Sequence, residues 1–181
     1  TLVTLALAFP LGVISARNVV ASPGVRFLAR LCLVSSRSVN SLVWALVFVA
    51  VFGPGPAAGT FAIAFRSIGF VGKLLAEAIE EISKKQIEAV RATGASFMNV
   101  FIFGVVPQVM NRFIGFVVYE TDSNLRNSTM VGIVGAGGIG GTLFSAFQRF
   151  DYEFVAGIIL AIIGIVMIGE VLQIYVKRVF R

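Results

Sequence analysis

Apolar residues run in long stretches along this chain, separated by short polar segments and by glycine- and proline-rich breaks. A membrane-crossing helix needs about 20 mostly apolar residues to traverse roughly 30 Å of hydrocarbon. Five stretches are candidates: residues 1–16, 39–52, 57–76, 97–118 and 154–176. The first is apolar from Thr1 and lacks both a basic leader and a small-residue cleavage site, so the chain is expected to begin inside a membrane helix. The second has only 14 residues and is expected to extend back into residues 28–38 or to be shielded by its neighbours. Gly53-Pro54-Gly55-Pro56 joins the second to the third as a tight turn, which predicts a helical hairpin.

Composition supports lipid as the solvent. Of 181 residues, 57% are hydrophobic and 13% charged, the latter about half the share of an average soluble domain. The mean hydropathy is +0.94. The 19 glycines suit close helix packing in a membrane. The chain has no histidine and one cysteine. His-based catalysis is therefore excluded, no His/Cys metal site is expected, and Cys32 cannot form an internal disulfide.

The net charge is +6, and the basic residues lie between the apolar runs rather than on a polar domain. That distribution points to membrane topology and away from nucleic acid. Arg17, Arg26, Arg30 and Arg37 precede the second candidate span; Lys84, Lys85 and Arg91 precede the fourth; Lys177, Arg178 and Arg181 close the chain. The three groups alternate so as to share one face, which the positive-inside rule makes cytoplasmic, C-terminus included. The Gly-Pro turn and residues 119–153 then face outward, with Glu120, Asp122, Asp151 and Glu153 beside Arg126 and Arg149.

Residues 77–96, EAIEEISKKQIEAVRATGAS, are too organised for a plain connection. Ile79, Ile82, Ile87 and Val90 recur at roughly helical spacing until Gly94 interrupts. Pattern alone leaves two readings, an amphipathic helix on the lipid surface and a docking element for a cytoplasmic partner.

Glu88-Ala89-Val90, three residues, Gly94, nine residues, then Gly104-Val105-Val106-Pro107 resembles the EAA loop of binding-protein-dependent ABC permeases. That pattern is EAA, three residues, Gly, nine residues, Ile-x-Leu-Pro. The departures are Val90, Gly104 and Val106. The resemblance implies an all-α integral membrane protein with the helix bundle of a type I, methionine-permease-like ABC importer permease. It would form one permease domain over residues 1–181, with about five spans and a cytoplasmic coupling segment at 77–96. Glu88, Ala89, Val90 and Gly94 would contact an ATPase subunit. Pro107 would fall inside the fourth span, where it removes a backbone hydrogen bond.

Further stretches, SARN, LVWALVFVAVFG, IGFVGKLLAEAIEEI, RATGAS, VPQV, NLRNSTMVGIVGAGGIG and FDYEFVA, look like the phosphonate permease branch of that family. This implies a multi-pass subunit of the bacterial cytoplasmic (inner) membrane, with a second permease copy in a homodimer, two ATPase subunits and an extracytoplasmic phosphonate-binding protein. The chain itself would bind no cofactor; ATP and magnesium would sit on the partner ATPase. Phosphate, phosphite and methionine are alternative substrates.

Gly135, Gly137, Gly138 and Gly140 lie in GAGGIG, which fits the dinucleotide fingerprint G-x-G-x-x-G. That fingerprint requires a strand before it, a helix after it and an acid about 20 residues on. Asp151 comes too soon and the flanks are membrane spans, so helix packing or a re-entrant turn near a pore is expected instead. There is no Gly-Lys-Ser/Thr and hence no P-loop.

Arg66, Arg112 and Arg126 are candidate pathway residues. A mid-membrane arginine costs about 2.5–3.5 kcal/mol on insertion scales and must face protein or water. Arg66 is read as pore-lining or structural. The structural reading is favoured for Arg112 and for Arg126, which stands four residues after Asp122. Two other function classes are weighed. A membrane-embedded enzyme would need a convergent acid/base constellation, but the acids cluster in the cytoplasmic loop and the outer segment, Glu170 apart. An ion channel would arise from helix packing alone.

Overall fold

The computed structural model describes residues 1–19 and 22–179, and every element among them is helical. In chain order these are α1 (Leu2–Ser15), α2 (Pro23–Ser38), α3 (Ser41–Phe52), α4 (Pro56–Glu80), α5 (Lys84–Ala92), α6 (Phe97–Val100), α7 (Val106–Val131), α8 (Gly138–Gln148) and α9 (Tyr152–Val179). Wide π-turns at Phe101–Val105 and Gly132–Ala136 link α6 to α7 and lead towards α8.

The second candidate span is not one helix. Residues 28–38 belong to α2, which starts with Pro23 in its first turn and meets α3 at 95°. Asn40 restarts the chain by accepting the Leu42 N–H on its side chain at 3.0 Å. Together α2 and α3 are long and apolar enough for a span, but a broken one. Among the described residues, two continuous helices are long and apolar enough by themselves, Phe97–Ala136 and Tyr152–Tyr175. The expected five spans thus become these two, the bent pair, a 14-residue α1 and α4. At 1.5 Å per residue, α1 covers only about 21 Å.

Helix α4 is the centre of the bundle. Helices α1, α2, α3 and α7 all pack on it, and its small residues Ala58, Gly59, Ala62, Ser67, Gly69 and Gly72 are buried. Backbones approach closely there. A Cβ on Gly12 of α1 would lie 2.8 Å from Gly72 O, and one on Gly72 would lie 2.6 Å from Leu33 of α2. Such small-residue contacts let helices gain packing where lipid supplies no hydrophobic drive.

Pro107 widens its helix instead of ending it. The proline has no N–H and its ring crowds the preceding turn, which opens into the π-turn Phe101–Val105. The Gln108 side-chain amide donates to Gly104 O at 2.5 Å. Beyond this point α7 runs unbroken to Val131. Residues 119–131, assigned to an outer segment by sequence, are therefore helical and continue the fourth span. The reason is local: no glycine or proline occurs between Gly115 and Gly132.

The two ends of the bundle differ. At one end Glu80, the last residue of α4, accepts from the Arg17 N–H at 2.8 Å and forms an ion pair with Arg30. Asn18 Nδ2 donates to Ile79 O and Glu80 O, both at 3.2 Å, and Arg30 Nε donates to Ser15 O at 3.1 Å. The ends of α1 and α4 and the first turns of α2 are thereby tied beside α5. At the opposite end the Gly-Pro turn meets the glycine-rich bend, with Gly137 3.6 Å from Pro56 when a Cβ is placed on it. Helix α9 packs along α7, Gly169 against Leu125 and Leu172 beside Val117 and Val118. It thus runs antiparallel to α7, back towards the basic end. Of the C-terminal basic residues, Arg181 lies outside the described residues.

Candidate functional site

Two adjacent polar residues interrupt the middle of α4, Arg66 and Ser67. Ser67 is fully buried and meets α7, where Glu120 and Asn124 share one face at four-residue spacing. Its hydroxyl reaches Glu120 Oε1 in a short hydrogen bond and Asn124 Oδ1 at 2.8 Å. A hydroxyl has one proton. Glu120 Oε1 is the nearer of the two acceptors for that proton, and Asn124 Nδ2 is buried without a partner.

Arg66 completes the cluster. Its Nη1 stands 4.0 Å from Glu120 Oε1, an ion-pair distance too long for a hydrogen bond. That nitrogen is buried with no hydrogen-bond acceptor, while the side chain as a whole is 28% exposed. Glu120 is 1% exposed, and a buried carboxylate needs the neighbouring cation and hydroxyl to offset its lost hydration. Residues 120 and 122, placed by sequence among outer acids, are both buried in the bundle.

Arg66 opens onto a polar face shared by two helices. Phe70 and Lys73 continue it along α4, and Tyr119, Ser123 and Asn127 along α7; all are half-buried or exposed. The Phe70 and Tyr119 rings stack with centroids 5.7 Å apart, and Asn127 Nδ2 donates to Ser123 Oγ at 3.3 Å. This face is separate from a cleft of about 810 Å³ between α1, α4, α7 and α9, which Asp122 and Asn124 line.

The other candidate arginines are paired. Arg126 holds Asp122 one helical turn away. Arg112 Nη1 donates to Glu81 Oε2 at 2.5 Å, just after α4 ends. Ser83 N, at the start of the next helix, donates to Gln108 Oε1 at 3.2 Å. The short break between α4 and α5 is therefore held against α7 at two points.

The segment 77–96 is not one helix. Residues 77–80 belong to α4, and α5 starts at Lys84. Ile87 and Val90 turn inward towards Gly104, whereas Glu88 and Ala89 are exposed and no residue of α5 is buried. Gly94 ends the element at φ +77°, with open space where a Cβ would stand. That backbone region favours glycine.

The glycine-rich segment bends the chain back on itself. Gly135 and Gly137 have φ of +98° and +74°, and α8 returns against the bend and against α9. A Cβ on Gly140 would strike the Thr129 carbonyl, and one on Gly132 would lie 2.7 Å from Gly137 O. Among the described residues no cluster of His, Cys, Asp or Glu could hold a metal ion.

A profile of the family described as binding-protein-dependent transport system inner membrane component matches residues 8–181. The chain belongs to that family. As an inner membrane component it is 40% identical over 177 residues to the phosphate-import permease protein PhnE of Mycolicibacterium smegmatis, covering 98% of this chain and 33% of the relative. It is 36% identical over 181 residues to the phosphite transport system permease protein PtxC of Stutzerimonas stutzeri, covering 100% of this chain and 66% of the relative. The chain thus spans between one third and two thirds of these relatives' length. A solved structure of the MetNI methionine ABC transporter, in inward-facing conformations, superposes with a TM-score of 0.84 at 18% identity, covering 99% of this chain and 88% of that one. That likeness establishes the fold of a type I ABC importer permease.

In this inner membrane component, sequence reasoning missed Ser67, Glu120 and Asn124 as a cluster. The available signal was polar residues four apart, Glu120 and Asn124, inside a run with no helix breaker.

Proposed function

We infer that this chain is the membrane-spanning part of a permease subunit in an ATP-binding-cassette importer, passing a phosphonate or related phosphorus oxyanion across the cytoplasmic membrane. The subunit performs no chemistry of its own. Two copies form the pathway, two ATPase subunits carrying ATP and magnesium dock on the basic end, and an extracytoplasmic binding protein delivers the anion to the opposite end.

The observation that carries this reading is α5. It is a short helix with no buried residue, presenting Glu88 and Ala89 outward. Its base is held to α7 by the Arg112–Glu81 and Gln108–Ser83 contacts. A body pressing on α5 can therefore move α4 and α7 together, and these two helices carry the polar face. The phosphorus oxyanion is favoured over methionine by the relatives named for phosphate and phosphite. The cationic Arg66 on the polar face suits an anion.

The test is the ATPase activity of the assembled complex in proteoliposomes, with methylphosphonate, phosphite, phosphate and methionine supplied on the binding-protein side. Stimulation by a phosphorus oxyanion is expected. Stimulation by methionine alone would refute the assignment.

A further inference from the structure

Glu120 is buried beside a cation that it does not hydrogen-bond. Ser67 occupies Glu120 Oε1, and Arg66 Nη1 remains 4.0 Å away without an acceptor. The other cations on α4 and α7 are committed: Lys73 to Glu77, Arg112 to Glu81 and Arg126 to Asp122. Arg66 is thus the cation of these two helices whose ion-pair partner stands beyond hydrogen-bonding distance, and its side chain is 28% exposed beside the polar face.

We propose that Arg66 is a transient contact for a tetrahedral phosphorus oxyanion on this face, and that Glu120, held off Arg66 by Ser67, keeps the contact weak enough for release. The proposal rests on the permease reading above. A pathway must bind its cargo well enough to admit it and weakly enough to let it go. An arginine with no counter-charge, shielded from water, would hold a charged oxyanion tightly through charge-assisted, paired hydrogen bonds. An arginine fully engaged by a carboxylate would present few free donors. The Ser67 hydroxyl sets an intermediate state, because it takes the carboxylate oxygen that would otherwise close on the guanidinium. Glu120 and Ser67 touch no anion themselves; they position and tune Arg66.

The experiment measures binding of radiolabelled phosphite to the full-length permease assembled with its ATPase, the binding protein being omitted so that its own site does not mask the result. Glu120→Gln is expected to tighten phosphite binding by about tenfold, the scale of an ordinary coupling between sites, and to slow maximal uptake once the binding protein is restored. Ser67→Ala frees Glu120 to engage Arg66 and is expected to weaken binding. Arg66→Gln abolishes the contact, and Arg66→Lys keeps part of it. A purely structural cluster predicts instead that Glu120→Gln and Ser67→Ala both lower the amount of assembled complex and shift binding in the same direction; that result overturns the proposal. If Glu120→Gln does not assemble, Ser67→Ala must still weaken binding in a normally assembled complex, and unchanged binding there overturns it. Failure of the unmodified, fully reconstituted complex to take up any phosphorus oxyanion refutes the permease assignment itself, before any variant is compared.

Discussion

Glu80→Ala probes the junction that ties the end of α4 to α2 and to the residues that follow α1. Glu80 Oε1 accepts from the Arg17 N–H at 2.8 Å and pairs with Arg30. The Arg30 and Glu80 side chains are 35% and 24% exposed, so water screens the pair, which contributes about 1 kcal/mol. Loss of the amide-to-carboxylate hydrogen bond at this exposed site adds about 1 kcal/mol. The sum of about 2 kcal/mol is a factor of roughly 30 in the equilibrium for local opening around Arg17. Asn18 still reaches the Ile79 and Glu80 carbonyls, so the loosening stays local. Hydrogen exchange reads it directly, because amide exchange follows local opening. The Arg17 amide should exchange about 30 times faster in Glu80→Ala by this estimate, and less fast in Glu80→Gln, which keeps an oxygen acceptor. Amides of α9 should not change. An unaltered Arg17 rate in Glu80→Ala would refute the reasoning.

Two further substitutions test separate parts of the structure. Gly94→Ala meets no neighbour but forces an L-residue to φ +77°, a cost of about 1 kcal/mol; the protein should insert normally while uptake per ATP hydrolysed falls, as measured in proteoliposomes. Gly132→Ala places a methyl 2.7 Å from Gly137 O and 2.8 Å from Gly140 Cα, both backbone. Overpacking of about 2 kcal/mol should lower the temperature of irreversible inactivation and increase proteolysis near residues 133–141.

The sequence makes some elements plain and hides others for identifiable reasons. Helix α9 reads directly as a span because no charged residue interrupts its apolar run from residue 154 to Gly169. The Gly-Pro turn is explicit in its residues. The break between α2 and α3 was less visible, since its marker is a single N-capping Asn40 between two helices of different character. The buried position of Glu120 is hidden because acids past residue 118 read as an outer segment until the helix is followed to Gly132. The Glu80 junction could not be read from the sequence at all, as its partners lie 50 and 63 positions away. Of the site, the helix-then-glycine form of α5 and Gly94 was legible through spacing, whereas the state of Arg66 depends on Ser67 and Glu120 being brought together by packing.

The central claim is that the exposed face of α5 receives a force-bearing partner inside the cell. The direct measurement replaces Cys32 by serine, introduces Glu88→Cys, and combines labelling by a membrane-impermeant maleimide with crosslinking in the assembled transporter. The account predicts labelling in inverted vesicles but not in intact cells, and a crosslink to the ATPase subunit whose yield changes with ATP. Labelling of intact cells from outside, or no crosslink to any partner in the complete assembly, would contradict it.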